Sequence, residues 1–373
     1  MKLLFVAHEN ALVGAGRSLL TLLAEIAKTK EHALMVILPA KGPMDAELER
    51  LNIKYTVIPY WYSVHSIENY SNFKETVKEA LNYAALVRMK KIVKSYSPDY
   101  VISNSLAEDV GARAAQMLNI RHIYYIREFL EEDFQICFRK PKRAKTLIEN
   151  ADKVIFISKA ISQKYLEKYR IKKYRVIYDG IDSDEYLFLG HTILENETIQ
   201  AVQIGRLCDG KGTFDTIKVF GKLKSKRYEL DLYGYGEPAY VATLEKYIEE
   251  NNLGSRIRLH GFDDTVSEKI KNKDILIMNS KSEGLGRVTL EGMLAGCLVI
   301  GRVAGATTEL IQNGVNGLTY KNSEGLVNIL DHVVPDNPKM CQKIAENGQK
   351  YALEQFRPGR NAREFLEWIR EEQ

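Results

Sequence analysis

The sequence predicts an α/β protein of two doubly wound domains in tandem, each a parallel sheet with helices on both faces. Three observations carry this. Short runs rich in β-branched and aromatic residues alternate with longer segments of helical period along the whole chain. The strand-like runs are too apolar to leave a face in water, the habit of parallel strands covered on both sides. A length of 373 residues, 45% apolar and 27% charged, suits two or three domains with a core in each.

In the first half the strand runs are LLFVA (3–7), ALMVIL (33–38), YTVI (55–58), YVIS (100–103), HIYYI (122–126), KVIFIS (153–158) and YRVIY (174–178). Helices are expected between them over 18–28, 73–94, 108–118 and 159–169. After the polar stretch 191–198 a second series begins: IQAVQI (199–204), YELDLY (228–233), RIRLH (256–260), DILIMN (274–279), CLVIG (297–301) and NGLTY (316–320). Its helices are expected over 213–223, 240–251, 288–294 and 306–311, so the domain boundary falls near 179–198. The halves open alike, LLFVA leading to Gly14-Ala15-Gly16 and IQAVQI to Gly210-Lys211-Gly212, each before a helix. In such folds ligands sit beyond the carboxyl ends of the strands, and facing first turns would make one cleft. The closing segment 361–372 reads as an amphipathic helix with Phe365 and Trp368 on one side.

Composition excludes several classes. Cys137, Cys208, Cys297 and Cys341 form no CxxC pair, which excludes a disulfide scaffold or zinc module and fits a reducing compartment; Cys208 and Cys297 read as packed hydrophobes. The seven histidines show no ligand spacing, so no metal is expected. No apolar run approaches the roughly 18 residues of a membrane span, and MKLLFVAHEN reads as a first buried strand, so a cytoplasmic protein is expected. The net charge of +4 hides a split: residues 1–175 hold 29 Lys/Arg against 19 Asp/Glu, the remainder 24 against 30. The basic half points to an anionic partner. DNA-reading motifs are absent, so no nucleic acid is expected. The clusters Arg88-Met89-Lys90-Lys91…Lys94 and Arg139-Lys140-Pro141-Lys142-Arg143…Lys145 are either solvated helix faces or a surface for anionic lipid headgroups or a polyprenyl-diphosphate acceptor, peripheral at the inner face of the cell membrane.

Two segments carry the chemistry. In Ser282-Glu283-Gly284-Leu285-Gly286-Arg287-Val288-Thr289-Leu290-Glu291-Gly292, glycines after a strand let backbone approach a ligand, and the next helix opens with free N–H groups suited to an anion. Glu291, about one turn in, can accept hydrogen bonds from a vicinal diol such as a ribose; Glu283 reaches another part of the same ligand. The plainer alternative is a capping Glu283 and a solvated Glu291. In Gly205-Arg206-Leu207-Cys208-Asp209-Gly210-Lys211-Gly212, Arg206 and Lys211 are placed to hold a diphosphate, or else are two surface cations. Elsewhere, Gly14-Ala15-Gly16-Arg17-Ser18-Leu19 lacks the third glycine of a dinucleotide fingerprint, and Asp182-Ser183-Asp184 reads as a turn. The aromatic run Tyr60-Trp61-Tyr62-Ser63-Val64-His65 is a packed loop or a platform for an acceptor's sugar rings or lipid chain.

Glu283 and Glu291 resemble the E-x7-E signature of family 4 retaining glycosyltransferases, the glycosyl transferases group 1 of GT-B fold. Further segments match in order. Gly205-Arg206-Leu207…Lys211-Gly212 resembles G-R-L-x3-K-G, and Val176-Ile177-Tyr178-Asp179-Gly180-Ile181-Asp182 resembles the V-I-x-N-G-V-D hinge. Tyr233-Gly234-Tyr235-Gly236, His260-Gly261-Phe262 and the run Glu291–Gly317 are similar to later family segments, so the resemblance covers about 150–320. It implies an acceptor-binding domain over 1–180, a nucleotide-sugar-binding domain over 181–355 and a helix over 356–373 crossing back to the first. It also implies transfer of a UDP- or GDP-linked sugar to a saccharide, lipid-linked saccharide or other hydroxyl acceptor, with retention and without metal, in cell-surface polysaccharide or glycolipid synthesis.

Residue by residue, Arg206 and Lys211 would neutralise the leaving diphosphate, Glu291 hold the ribose and Glu283 the donor sugar. The amides of Gly284, Leu285 and Gly286 would lie near sugar and phosphate, and Gly14 and Gly16 would close over the donor–acceptor junction. The sequence departs from the family at Arg127, which stands before Glu128 where a His usually faces the donor sugar; Arg donates but cannot accept a hydrogen bond. Arg127 is expected to hold a sugar hydroxyl or the phosphate. The departure also supports a rival, a non-catalytic partner subunit or glycan- or protein-binding chaperone; an epimerase of the same shape is disfavoured by E-x7-E. Asp179 for the hinge Asn is a milder change, both residues tolerating the turn.

Overall fold

The computed structural model describes residues 1–67 and 71–371. The chain forms two compact units, Met1–Gly180 with the C-terminal segment from Pro358, and Ile181–Arg357. In chain order the first unit holds β1 (Lys2–Val6), β2 (Ala33–Leu38), β3 (Lys54–Val57), β4 (Val64–Ser66), β5 (Tyr100–Ser103), β6 (His122–Ile126), β7 (Ile136–Phe138), β8 (Lys153–Phe156) and β9 (Tyr174–Val176). The second holds β10 (Ile199–Ile204), β11 (Tyr228–Tyr233), β12 (Ile257–Gly261), β13 (Ile275–Met278), β14 (Leu298–Arg302) and β15 (Leu318–Tyr320).

The first unit is a seven-stranded parallel sheet in the order β3-β2-β1-β5-β6-β8-β9. Leu3, Leu4, Phe5 and Val6 are all fully buried, as a strand covered on both faces requires. Helix Pro358–Arg370 starts on a proline, which loses no intrahelical bond there, and buries Phe365, Leu366, Trp368 and Ile369. Phe365 lies 6.0 Å from Phe5 and is stacked 6.3 Å from Tyr125, ring centre to ring centre. Asn361 donates to Tyr178 O at 2.7 Å, and Lys153 Nζ to Trp368 O at 2.6 Å, so polar bonds fix this helix to the sheet at both ends. Glu372 and Gln373, the end of the segment expected to reach 373, lie outside the described residues.

Helix Pro338–Gln355 is absent from the sequence expectations, and so is a small sheet in which β4 and β7 pair antiparallel, Val64 opposite Phe138 and Ser66 opposite Ile136. The aromatic run 60–65 therefore ends in a strand whose partner lies about seventy residues on. Three-residue strands have too little periodicity to be read locally.

Just beyond β5, Glu108 is wholly buried and accepts from the Gly111 N–H at 3.0 Å. Burial pushes its carboxyl from the usual 4.5 up to about 7. An acid whose pKa rises on folding keeps its proton longer when folded. Its contribution is full below about 4.5 and lost as the pH rises through about 7. Glu108→Gln should thus gain on the parent as the pH passes from 4.5 to 7 in urea unfolding. A constant difference between the two across that window would clear Glu108 of this role.

The second unit is a six-stranded parallel sheet, β12-β11-β10-β13-β14-β15. Taken as six consecutive strands this is the 3-2-1-4-5-6 order of a dinucleotide-type fold. The order reverses between β10 and β13, which leaves a crevice beyond their carboxyl ends. Both chemistry-bearing segments leave the sheet there. Its core is formed by residues such as Ala201, Leu230, Leu232, Ile275, Ile277, Leu298 and Ile300.

Candidate functional site

After β10 the chain turns at Gly205, whose φ is +144°, and Gly234 after β11 has φ +145°. A Cβ on Gly234 would fall 1.8 Å from Gly205 O, so the two turns can lie together only because Gly234 has no side chain. Arg206 follows, exposed, and Leu207 is buried beneath it. A short turn of 3-10 helix, Asp209–Lys211, leads to Gly212 at φ +64° and then to helix Thr213–Lys222. Here too a side chain is excluded, since a Cβ on Gly212 would meet Asn279 O at 2.2 Å.

After β13 the chain runs beside this turn. Lys281 N–H donates to Gly210 O at 2.8 Å, and Lys281 Nζ pairs with Asp209 at 2.6 Å. Buried Asn279 donates from Nδ2 to Gly212 O at 3.1 Å and to Thr216 Oγ1 at 2.9 Å. The two segments are thus bonded to each other, and Lys211 Nζ reaches Glu283 Oε2 at 2.7 Å. Lys211 keeps 35% of its side chain in solvent and Glu283 14%, so the pair stands at the rim of the crevice.

Gly284, Leu285 and Gly286 are buried, and Gly286, at φ +84°, opens helix Arg287–Leu294 without a side-chain cap. The positive end of the helix dipole, at a start without a side-chain cap, favours an anion. The Thr289 hydroxyl, buried in the first turn, has no hydrogen-bond partner among the described residues. Glu291 is buried too, its carboxylate 3.7 Å from Arg287 Nε. That removes the alternative of a solvated helix position. Nor is Glu283 a simple cap, because the helix has no side-chain cap bond and the Glu283 carboxylate is bound to Lys211; its backbone is held from a third loop, where Ala306 N–H donates to Glu283 O at 2.9 Å. A Cβ on Gly305 would clash with that same oxygen at 2.4 Å. Asn279 and Gly305 escaped sequence reasoning. Their roles are contacts to distant backbone, though a glycine between Ala304 and Ala306 was a visible sign.

In the first unit Gly14, at φ +40°, begins helix Gly14–Lys28 in open space, while a Cβ on Gly16 would meet Ala11 O at 1.9 Å. Gly16 is therefore required by its own turn, apart from any ligand. Arg127 is buried at the end of β6. Its NH1 lies 2.5 and 2.6 Å from the two oxygens of Asp179, its Nε donates to Asn104 Oδ1 at 2.9 Å, and its guanidinium sits 4.0 Å over the Tyr125 ring. The two departures from the family pattern are thus one ion pair. Its remaining nitrogen, NH2, is buried with no partner among the described residues.

Asp182 accepts from Asp184 N–H at 3.1 Å and caps the short helix Ser183–Tyr186. Cys297 is buried, and burial raises its thiol far above the usual range. No cluster of three or more His, Cys, Asp or Glu able to hold a metal ion lies among the described residues.

Two family models match, glycosyltransferase family 4 over residues 13–185 and glycosyl transferases group 1 over 191–351. EpsD of Bacillus subtilis (strain 168) is 25% identical over 308 residues, 77% of this chain and 80% of EpsD. A Campylobacter jejuni protein, N-acetylgalactosamine-N,N'-diacetylbacillosaminyl-diphospho-undecaprenol 4-alpha-N-acetylgalactosaminyltransferase, is 26% identical over 159 residues, 41% of this chain and 42% of that one. Among solved structures, Anabaena HepE in complex with UDP-glucose superposes with a TM-score of 0.81 at 23% identity, covering 99% of both chains. That likeness is one of fold. With both models matched in sequence order and each unit a Rossmann-like parallel sheet, the chain belongs to the family 4 glycosyltransferases of GT-B fold.

Proposed function

We propose that this glycosyltransferase takes its sugar from a nucleoside diphosphate of the UDP or GDP class and passes it to an acceptor hydroxyl with retention at the anomeric carbon and without a metal ion. The observation that carries the reading is the Lys211–Glu283 contact at 2.7 Å, at the switch point of the second unit, beside an uncapped helix start with Glu291 buried one turn inside. A diphosphate brings two or more negative charges. Lys211 and Arg206 supply positive charge, and the amides of Gly284, Leu285 and Gly286 supply donors. Such fixed groups stabilise charge on the leaving diphosphate as the glycosidic C–O bond breaks. In this reading the phosphate oxygen draws Lys211 from Glu283, which frees the carboxylate to accept from a sugar hydroxyl; Glu291 accepts from the ribose. The leaving phosphate takes the acceptor's proton, so no separate protein base is needed. Gly14 and Gly16 keep their expected role toward the donor. Arg127, engaged by Asp179 and Asn104, enters as a residue that positions its neighbours.

Relatives support the same class of chemistry: HepE was crystallised with UDP-glucose, and the Campylobacter protein acts on a diphospho-undecaprenol acceptor. A lipid-linked or saccharide acceptor of cell-surface synthesis, a cytoplasmic setting and an anionic membrane surface as a partner of the first unit complete the proposal. The test is a panel of UDP- and GDP-sugars added to the purified protein. One donor at about a hundredfold excess over its Kd should raise the melting temperature by roughly 5–10 °C. That donor should then release nucleotide only with an acceptor, and proton NMR should find the donor's anomeric configuration in the product. A panel without any shift would end the reading. Binding with no release in any acceptor mixture would favour the non-catalytic partner subunit or chaperone.

A further inference from the structure

Helix Asn72–Tyr96 of the first unit carries more apolar side chains than its packed side can bury. Asn82, Ala85, Leu86, Met89 and Val93 are buried. On the opposite side Phe73, Val77, Ala80, Leu81, Ala84 and Val87 are exposed, spaced so that they form one face over about four turns. Phe73 keeps 79% of its surface in solvent. A surface helix normally turns charged residues outward, so a face of this kind implies a cover. In the last turns the same row becomes basic with Arg88, Lys91 and Lys94. These three have no ion pair or hydrogen bond with any described residue.

The other basic cluster differs. Arg139 is bound to Glu75 at 2.5 Å, and Arg143 to Glu79 at 2.5 Å and Asp109 at 2.7 Å. Its arginines fasten the inner side of the same helix, while the cations of 88–94 remain available. Asn82 receives Trp61 N–H at 2.8 Å and donates to Trp61 O at 2.9 Å, which sets the exposed Trp61 beside the middle of the helix.

We propose that helix Asn72–Tyr96 is a docking surface for an anionic lipid bilayer, with the Phe73–Val87 face entering the headgroup–acyl boundary and Arg88, Lys91 and Lys94 meeting lipid phosphates. An apolar face with unpaired cations on the same row is the complement of such an interface. No helix of the described residues is long and apolar enough to cross a membrane, so the contact is one of lying on the surface. The inference deepens the reading above by placing its membrane partner on one helix. It rests on that reading only for the purpose of docking, access to a lipid-borne acceptor.

The experiment is co-sedimentation of the full chain with vesicles of three parts phosphatidylcholine to one part phosphatidylglycerol, against phosphatidylcholine alone. The protein should pellet with the anionic vesicles, far less with the neutral ones, and less as salt is raised. Phe73→Ser/Val77→Ser/Leu81→Ser should weaken binding on the order of tenfold or more. Arg88→Gln/Lys91→Gln/Lys94→Gln should weaken it on the order of a hundredfold, about fivefold per charge. A control, Lys339→Gln/Lys343→Gln/Lys350→Gln in the second unit, should bind like the parent. All changed side chains are at the surface, and matching circular-dichroism spectra check the fold. Equal binding by parent and both helix variants would overturn the proposal. So would a dimer split by the serine variant with no vesicle binding, which assigns the face to a second copy. A parent that binds vesicles but transfers no sugar leaves docking standing and ends the transferase reading; one that transfers to a soluble acceptor but ignores vesicles does the reverse.

Discussion

Lys211→Ala and Glu291→Ala are each expected to lower sugar transfer by roughly 10²–10³-fold, the scale seen when one preorganised charge-stabilising group is removed from a site. The two should differ in kind. Lys211 meets charge that grows as the bond to the diphosphate breaks, so its loss should fall mainly on kcat. Glu291 would hold a ribose that is unchanged by the reaction, so its loss should fall mainly on KM and on the donor-induced rise in melting temperature. Lys211 is 35% exposed in its side chain, and a partly exposed ion pair is worth only about 0–1 kcal/mol, so Lys211→Ala should melt close to the parent. Steady-state kinetics with the best donor, with melting curves alongside, make the check. Both variants matching the parent in kcat/KM would remove these residues from the site.

The second large effect concerns stability. Arg127→Ala leaves the Asp179 carboxylate buried opposite nothing, and Asp179→Ala leaves a buried guanidinium; each should cost about 3–5 kcal/mol. In a unit of this size that lowers the melting temperature by roughly 10 °C. The double variant Arg127→Ala/Asp179→Ala buries no unpaired charge and should lose clearly less than the two singles together, by 1 kcal/mol or more in a double-mutant cycle. Additive losses would show that the NH1 contacts at 2.5 and 2.6 Å carry no coupling, and Arg127 would return to being a ligand-facing cation.

That pair shows where sequence reading stops. Arg127 and Asp179 appear along the chain as two separate departures from a family pattern, one consequential and one mild, fifty-two positions apart. Folded, each is the reason for the other, because a buried charge is tolerated where its partner is. The basic clusters repeat the lesson. Residues 88–94 and 139–145 are alike in composition, yet Arg139 and Arg143 are neutralised by Glu75, Glu79 and Asp109, which no local pattern announces. Helix Asn72–Tyr96 was legible from its period, but its apolar residues run all round it. Which half of them met solvent depended on what packed against Leu86 and Met89.

From sequence alone came the two parallel-sheet units, through alternating apolar runs, and the segments 205–212 and 282–292, through glycines before helix starts. Those signals are local, set by backbone sterics and side-chain period within a few residues. Tertiary structure alone decided that Lys211 touches Glu283, that Asn279 and Gly305 hold the two loops, and that Glu291 is shielded from water. Each of these depends on chain segments far apart in sequence arriving at adjacent strand ends. Strand order is a property of the whole sheet and not of any one strand.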